Sequence, residues 1–416
     1  MAGGIEPARE VVEPLFANGF VLVGAGDPLV FLAVDWCEIR NDAYDRWRSV
    51  IADAVATTPS RVLLSSTHVH DAPVADLRAE RILEEAGAKG RICDLAFHEQ
   101  TVQRVAEAAR IALSRLQPIT HVGAGSARVE GVASNRRYEV AGGGIAFDRM
   151  SATRKPEARA AGEGAIDPWL RTLSFWNGRK PVAALSAYAT HPMSYYGKGG
   201  VSSDFIGLAR WRRAQDDRHV AQLYFSGCSG NVTAGKFNDG DPTNRAVLAD
   251  RLYQAMVKAW KSTRRTRLRS VDFRTTTVHL RAREGAGFST QESQALVRGA
   301  ARPFQQNLAA MNLSWRERVA AGRGIEIPRV DFGPVQFLLM PAESYVEFQL
   351  HAQEQRPDSL VLVAGYGECA PGYIPIDRAW EERDTNLHDW CWVAPGAEAV
   401  LKTAVSDLLK PVRTRP

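Results

Sequence analysis

The chain has 416 residues, of which 45% are hydrophobic and 24% are charged, an ordinary globular composition with ample material for a dry core and a deep cleft. Its net charge of +5, from 52 basic and 47 acidic residues, is too small and too scattered to indicate a nucleic-acid-binding protein. No apolar run approaches the roughly 18–20 residues of a membrane span, so no transmembrane helix is predicted.

The five cysteines are widely spaced, odd in number and without a CxxC pair, which argues against a closed disulfide framework. The pattern predicts a reducing, cytoplasmic setting, and the first residues, MAGGIEPAREVVEPL, lack the apolar core of a signal peptide. Cys228 and Cys369 are expected to be small, buried packing residues. By length, residues 1–416 are expected to form a single domain, with a possible smaller subregion over 265–330.

Apolar residues at helical spacing predict several helices along the chain. In chain order they cover 41–57, 99–116, a segment opened by Asp241-Pro242, and a segment running from Ser289 toward Arg298. Asp241-Pro242 has the residue types of an N-cap and first helical position. The helix that it opens is expected to bury Val247, Leu248, Leu252 and Met256.

Five apolar, β-rich segments each run into a polar cluster. They are 61–67 into His68-Val-His70-Asp71, 182–189 into Thr190-His191-Pro192, 220–225 into 226–233, 335–340 into 341–343, and 360–364 into 365–373. Strands interleaved with helices predict an α/β fold with one or more mixed sheets flanked by helices. Because ligands collect beyond the carboxyl ends of strands in such folds, we expect the active site at these C-terminal strand ends.

The clusters contain candidate metal ligands, although each is ambiguous when taken alone. His68 and His70 lie two residues apart and therefore face the same side of an extended segment. Both histidines, and His191 before Pro192, suit a metal site or a hydrogen-bonded structural position. Glu343 suits a ligand or a residue in the first turn of a helix. Two histidines and one carboxylate match a catalytic zinc site, although the chain has no HExxH motif.

The order of these short motifs resembles that of the neutral/alkaline ceramidases. The matching segments are THVHDAP at 67–73 with THTHSGP, NR at 135–136 with the family's NR pair, ATHPM at 189–193 with the second histidine segment, SGNVT at 229–233 with GN(L/V)SPN or GDVSPN, PAE at 341–343 with PGE, and 365–375 with NAYxGYVT. Each motif is short, but together they run in order through the family's large catalytic domain.

The resemblance implies a zinc-dependent hydrolase with a ceramidase-like catalytic domain, cleaving an amide bond of an N-acyl substrate, a ceramide-like lipid or a related compound, by metal-activated water. It implies Zn²⁺ held by His68, His191, Glu343 and Tyr373. His70 and Arg136 match residues that hold the substrate carbonyl or the product carboxylate, and the arginine fork suits a carboxylate. Asn135 and Asn231 fall in the family's motifs and are predicted to bind substrate.

The chain departs from the family pattern at several positions. Asp71 replaces the usual serine after HxH, Thr233 replaces another serine, and Ala234-Gly235 replaces Pro-Asn. Thr233 is a candidate catalytic residue, either as an activated nucleophile or as part of a hydrogen-bonding floor for the substrate. The length predicts no C-terminal immunoglobulin-like domain. These changes leave the metal chemistry intact and the lipid substrate open.

Further residues carry alternatives that the sequence leaves open. Asp35 and Asp204 are expected either to orient a zinc histidine from behind or to cap turns. The tryptophans near the carboxyl end either line an apolar pocket or belong to the core; they are Trp380, Trp390 and Trp392.

Two other functions remain as alternatives to a lipid amidase. The chain could be an esterase or amidase for a small soluble substrate, or a non-catalytic, metal-stabilised binding domain. In each reading the partner is a small molecule or lipid rather than a nucleic acid, and the sequence makes no prediction of an oligomer.

Overall fold

The computed structural model describes residues 7–299 and 301–411. The helices in this part are α1 (Asn41–Val55), α2 (Leu77–Glu85), α3 (Leu95–Ala112), α4 (Pro156–Ala160), α5 (Asp204–Asp216), α6 (Asn244–Lys261), α7 (Thr290–Arg298), α8 (Pro303–Ala320), α9 (Val346–Glu354), α10 (Asp377–Glu381) and α11 (Ala397–Leu409). Short 3₁₀ turns cover Pro59–Arg61, Leu113–Arg115, Gly235–Phe237 and Thr385–Leu387.

The strands of the described residues are mostly short. They are β1 (Glu10–Val11), β2 (Ala17–Leu22), β3 (Leu29–Val34), β4 (Glu38–Ile39), β5 (Val62–Ser66), β6 (Val74–Ala75), β7 (His121–Arg128), β8 (Ser134–Asn135), β9 (Tyr138–Glu139), β10 (Ile145–Ala146), β11 (Trp169–Asn177), β12 (Lys180–Tyr188), β13 (Gly200–Val201), β14 (Ala221–Ser226), β15 (Val232–Thr233), β16 (Arg264–Arg267), β17 (Asp272–Val278), β18 (Ile325–Asp331), β19 (Val335–Leu339), β20 (Glu343–Ser344), β21 (Leu360–Ala364) and β22 (Tyr373–Ile374).

Three mixed sheets form the framework. Their strand orders are β2-β3-β5, β14-β12-β11-β7-β16 and β17-β18-β19-β21. In the described part of the chain, each sheet has one parallel pair, which is β3 with β5, β12 with β14, or β19 with β21, and its other pairings are antiparallel. The predicted α/β fold with mixed sheets and flanking helices is therefore confirmed.

One apolar core joins the three sheets. It contains Phe31 from the three-stranded sheet, Leu185 from the five-stranded sheet and Phe337 from the four-stranded sheet, and all three side chains are fully buried. The rings of Phe31 and Phe337 meet edge to face with centroids 5.0 Å apart. Such a contact adds about 0.5–1.5 kcal/mol to the burial of the rings. Because the three sheets pack on this one core, the loops that follow their parallel strands lie close to one another in space.

The helix predictions were largely confirmed. Helix α1 falls where 41–57 was predicted, whereas α3 begins four residues before the predicted 99–116 because Asp94 caps it. Helix α7 follows Ser289, whose hydroxyl and Glu292 form a complete capping box. The start of α6 was predicted two residues early, because the carboxylate of Asp241 accepts from the Thr243 amide in a turn before the helix. Val247 was wrongly placed in the buried stripe, since 44% of it is exposed.

The subregion at 265–330 contributes β17 and β18 to the sheet that also contains β19 and β21. The division of 1–416 into domains stays a prediction. Within residues 7–299 and 301–411, no helix combines the length and apolar character needed to cross a membrane.

Candidate metal centre and cavity

Three side chains converge at the carboxyl ends of the three parallel strand pairs. His68 follows β5, His191 follows β12 and Glu343 follows β19. The Nε2 atoms of the two histidines are 3.1 Å apart, and Glu343 Oε2 lies 2.9 Å from His191 Nε2 and 3.3 Å from His68 Nε2. Residues separated by up to 275 positions in the chain thus present three donor atoms to one point.

Backbone carbonyls set the orientation of both imidazoles. His68 Nδ1 lies 2.9 Å from the Cys37 carbonyl oxygen, and His191 Nδ1 lies 2.6 Å from that of Ser229. A carbonyl oxygen only accepts hydrogen bonds, so each Nδ1 carries the proton and, in the neutral ring, each Nε2 presents a lone pair. The two carbonyls belong to the loops after β3 and β14, so the β3–β5 pair and the β12–β14 pair each supply one ring and the group that orients it.

The backbone around Glu343 holds its carboxylate in place. β20 pairs in parallel with β22, which aligns Glu343 with Tyr373, and the Gly230 amide donates to the Ser344 carbonyl over 3.0 Å. A β-carbon on Gly230 would lie 2.1 Å from the Glu343 carbonyl oxygen. Only glycine permits this close approach of the two loops.

Unusual backbone conformations accompany the centre. His68, Ala342 and Tyr366 are non-glycine residues with φ angles of 64°, 48° and 58°. Such left-handed conformations are sparsely populated and persist where the surrounding structure enforces them. The Tyr366 ring stacks on His68 with centroids 4.1 Å apart, and its hydroxyl lies 2.7 Å from Ser229 Oγ. Tyr366 therefore braces one histidine while contacting the residue that orients the other.

The three donor atoms fit a zinc ion. Tetrahedral zinc with nitrogen and oxygen ligands at about 2.0–2.1 Å keeps those ligands about 3.3 Å apart. The observed separations of 2.9, 3.1 and 3.3 Å are close to that spacing. A single proton on one ring can bridge at most two of these contacts, whereas a cation among the donors attracts all three.

Protonation equilibria favour the same arrangement. Burial would raise the pKa of Glu343, but the two imidazoles hold it well below its ordinary value, so the carboxylate is ionised. Burial, with a contribution from Arg136, lowers the pKa of His191 to about 4 and keeps that ring neutral. Burial also disfavours a charged His68, but Glu343, Glu38 and the Cys37 carbonyl together outweigh burial and raise the pKa of His68. The centre thus favours an added positive charge beside an anionic carboxylate.

Two of the three donor residues, His68 and Glu343, line a cavity of about 450 Å³, and His191 contacts both of them from outside the lining. The other lining residues of the cavity mix apolar and charged side chains; they are Cys37, Glu38, His70, Arg136, Phe147, Asp148, Met150, Met193, Tyr196, Tyr373, Thr385, Asn386, His388, Asp389 and Trp390. A pocket with a few converging polar groups in an apolar lining is the usual form of a small-molecule site.

His70 lies beside the two candidate ligand rings, with its centroid 4.9 Å from that of His68 and 5.8 Å from that of His191. Its Nε2 atom is buried and has no hydrogen-bond partner. Burial and the neighbouring rings hold the pKa of His70 well below its ordinary value, so the ring is neutral. A neutral imidazole with a free nitrogen is available to a ligand in the cavity.

Arg136 and Tyr373 form a pair in the cavity wall. Arg136 Nη1 donates to the Tyr373 hydroxyl over 2.8 Å, and its backbone amide donates to the Asn231 carbonyl over 2.7 Å. Arg136 is 1% exposed, and its Nε atom has no partner. Burial raises the pKa of Tyr373 despite the adjacent guanidinium. The role of Tyr373 as a metal ligand stays a prediction.

Three predicted site residues do not face the cavity. The Asn135 amide donates to the Ala165 carbonyl, and the Asn231 amide donates to Glu347 while its oxygen caps α9 by accepting from the Val346 amide. The Thr233 hydroxyl is buried and donates to the Met150 carbonyl over 2.8 Å. None of the three lines the cavity. The structure therefore uses these side chains to join loops, because their polar atoms are already bonded within the protein.

The suggestion that Asp35 or Asp204 orients a metal histidine was wrong. Asp35 forms a two-pronged ion pair with Arg210, with both N–O distances at 2.7 Å, and Asp204 accepts from the Ser194 amide. The rings are oriented by backbone carbonyls instead, so no carboxylate is needed behind them.

Sequence reasoning missed several residues of the cavity. Cys37 and Glu38 follow an apolar strand at 29–34, the same signal that drew attention to the other clusters, whereas Tyr196 and Asp389 lie on loops without such a signal. The two alternatives for the tryptophans, core and pocket lining, both occur: Trp392 belongs to the core and Trp390 lines the cavity. Two predicted packing residues are buried, namely Cys228 and Cys369.

No protein-family model and no curated protein matches the sequence. The fold nevertheless resembles solved structures. A structure titled "Ceramidase complexed with C2" shares 18% identity at a TM-score of 0.67, over 98% of this chain and 71% of that one. The neutral ceramidase from Pseudomonas aeruginosa shares 17% identity at a TM-score of 0.68, over 100% of this chain and 72% of that one. The chain therefore has the ceramidase-like fold that its motif order implied.

Proposed function

We propose that this protein is a zinc-dependent hydrolase that cleaves the amide bond of an N-acyl compound, either a ceramide-like lipid or a related molecule. The observation that carries the proposal is the convergence of two imidazole nitrogens and one carboxylate oxygen within 3.3 Å, beside a cavity that His68 and Glu343 line. The ceramidase titles of the two structural neighbours support the reaction class and the lipid substrate.

His68, His191 and Glu343 would hold the metal, and Tyr373 is proposed as a fourth protein ligand from its place in the motif. When bound, zinc lowers the pKa of water to about 7 and polarises a carbonyl oxygen. His191 and Glu343 stay in the forms that bind metal, since burial lowers the pKa of His191 and the carboxylate of Glu343 is ionised. At His68, whose pKa Glu343 helps to raise, the metal would take the place of the Nε2 proton.

Other side chains of the cavity would bind and orient the acyl part of the substrate. His70 offers its free Nε2 to the substrate carbonyl, next to the two candidate ligand rings. Arg136 offers an unpartnered Nε, and its buried guanidinium suits the carboxylate that hydrolysis releases. The Asn231 carbonyl and the Tyr373 hydroxyl hold Arg136 from two sides, which reduces the ordering needed on binding.

The apolar part of the cavity would accommodate the acyl chain. Phe147, Met150, Met193 and Trp390 contribute this lining. Methionine side chains adapt to ligands of different shape, so the lining permits more than one acyl group. This mixture of apolar walls and converging polar groups supports an N-acyl substrate better than a purely polar one.

Metal removal and substrate panels test the proposal. The purified protein would be stripped with dipicolinate, its zinc content measured, and its rate determined on a short-chain ceramide, simple N-acyl amides and small soluble amides and esters. We expect hydrolysis of N-acyl amides to disappear with the zinc and to return on adding it. Full activity after complete removal would refute the proposal. Preference for small soluble substrates would indicate a general amidase or esterase, and folded, zinc-loaded protein without turnover would indicate a binding domain.

A further inference from the structure

Three buried side-chain atoms in the cavity residues have no hydrogen-bond partner. They are Glu38 Oε1, His70 Nε2 and Arg136 Nε. A buried polar group without a partner destabilises the fold, so each such atom calls for an explanation. His70 and Arg136 have proposed partners on the acyl part of the substrate. Glu38 has none, and neither the motifs nor the proposed metal set involves it.

The Glu38 carboxylate is anchored by one oxygen only. Its Oε2 accepts from Arg40 Nη1 over 2.7 Å, and Glu38 is 1% exposed. Arg40 is itself immobilised, since it donates to the carbonyls of Cys369 and Ala370 over 3.1 and 2.8 Å and its guanidinium lies 4.5 Å from the ring centre of Trp392. The protein thus fixes the carboxylate firmly and leaves its second oxygen without a donor.

The other carboxylates of the cavity are differently placed. Asp148 accepts from the Tyr138 hydroxyl over 2.7 Å and forms an ion pair with Lys155, and Glu343 belongs to the metal centre. Asp389 accepts from the Trp390 amide over 2.9 Å. Among the described residues, Glu38 is the cavity carboxylate that has a buried oxygen lacking a partner.

The two products of amide hydrolysis each suit one of two free atoms in the cavity residues, Arg136 Nε and Glu38 Oε1. Hydrolysis breaks the C–N bond, adds the hydroxyl of water to the carbonyl carbon and transfers the remaining proton of water to nitrogen. At neutral pH one product is a carboxylate and the other an ammonium ion. The cavity holds one buried cationic side chain with a free donor, Arg136, and one buried carboxyl group with a free oxygen, Glu38, whose other oxygen is paired with Arg40.

We propose that Glu38 is the amine-side binding residue of the site, with Oε1 accepting a hydrogen bond from the nitrogen of the departing amine. This assignment rests on the proposed amide hydrolysis. Glu38 is not consumed and forms no covalent bond. It favours substrates whose leaving group carries N–H over esters with the same acyl chain, while Arg136 holds the acyl product at the other charged position of the cavity.

Paired substrates test this role in the zinc-loaded protein. Glu38→Gln keeps an oxygen for Arg40 but removes the charge, and it is compared with wild type on N-hexyl hexanamide and p-nitrophenyl hexanoate. The ester has the same acyl chain, but its leaving group carries no N–H. Since a hydrogen bond to a charged group is worth about 1.5–3 kcal/mol, kcat/KM for the amide should fall about 10- to 100-fold. The rate on the ester should stay close to that of wild type.

Calorimetry of hexylammonium binding provides a second measurement that does not depend on turnover. The ion is protonated at neutral pH and therefore cannot coordinate zinc. We expect Glu38→Gln to weaken its binding by about tenfold or more. Asp148→Asn is the matched control, because Asp148 already has partners, and it should change neither the hexylammonium affinity nor the ratio of amide to ester rates.

The outcomes separate the two proposals. Equal losses on amide and ester, or an unchanged affinity for hexylammonium in Glu38→Gln, would overturn the assignment of Glu38 and leave the hydrolase proposal standing. Failure of the zinc-loaded wild type to hydrolyse either substrate would refute the proposed function, and the assignment of Glu38 would fall with it.

Discussion

The loops that carry His68, His191 and Glu343 use their polar side chains differently from the ribbon formed by β8 and β15. Both are polar segments that fall in ceramidase-like motifs and lie near the same cavity. In the loops, the Nδ1 atom of each imidazole donates to a backbone carbonyl, and the Nε2 atom remains available as a metal donor. In the ribbon, the polar ends of Asn135 and Thr233 are bonded within the protein.

A polar residue in a ceramidase-like motif can therefore either contact the cavity or hold in place a neighbouring residue that does. The ribbon does not contact the cavity through Asn135, Asn231 or Thr233, yet it positions Arg136, which does. Functional and structural residues are distinguished by which of their polar atoms are already satisfied. Mutations in the two regions should therefore separate, with catalytic effects from the loops and stability effects from the ribbon.

The largest expected effect comes from removing a donor atom. His191→Ala should lose zinc and nearly all hydrolysis, because one of three converging donors disappears. Removing a residue that only orients a ligand costs about 10- to 100-fold in metal affinity, and removing the ligand itself should cost more. Zinc content, circular dichroism and rate measurements check this together. A folded His191→Ala protein with full zinc content would show that the three donors do not form the metal centre.

The next effect is expected at the residue that the ribbon positions. Arg136→Met should keep zinc but lower kcat/KM by about 10- to 100-fold, because a charge-assisted contact to the acyl part of the substrate is lost. Arg136→Lys should restore little, since an ammonium cannot reproduce the planar fork. Metal analysis and kinetics on an N-acyl amide measure the outcome, and an active Arg136→Met enzyme would remove Arg136 from the binding machinery.

Within the ribbon region, Asn231→Ala should act mainly on stability. It removes the bond to Glu347 and the cap on the Val346 amide, so the free energy of unfolding should fall by about 1–2 kcal/mol. The Asn231 carbonyl that holds Arg136 belongs to the backbone and remains. Chemical denaturation and zinc analysis test the separation, and loss of zinc in folded protein would contradict it.

The smallest catalytic effect is expected from Thr233→Val. The hydroxyl bonded to the Met150 carbonyl is lost in a side chain of the same shape, which should lower the free energy of unfolding by about 1–3 kcal/mol. Hydrolysis should remain close to that of wild type when measured well below the melting temperature. A folded variant without activity would revive the nucleophile hypothesis for Thr233.

Sequence patterns were most informative where a local signal has a local cause. Ser289 was predicted to open α7, and the structure shows the local cause, a capping box whose hydrogen bonds lie within four residues. Asp241 was wrongly predicted as the N-cap of α6 because an aspartate oxygen caps turns and helices alike. Only the backbone conformation after the aspartate decides whether a turn or a helix follows. Val247 misled because its helix is covered on a narrower face than the apolar spacing suggested.

The sequence by itself determined the class of fold, the strand ends that carry polar clusters and the order of motifs shared with ceramidases. These depend on apolar periodicity and on short contiguous segments. Only the tertiary structure decided which polar atoms remain free. The partners of Thr233 and Asn231 come from distant loops, and one-dimensional spacing does not show that Glu38 bonds to Arg40 through one oxygen only. The shared core of three sheets brings three parallel strand pairs together, and that convergence creates the candidate metal centre.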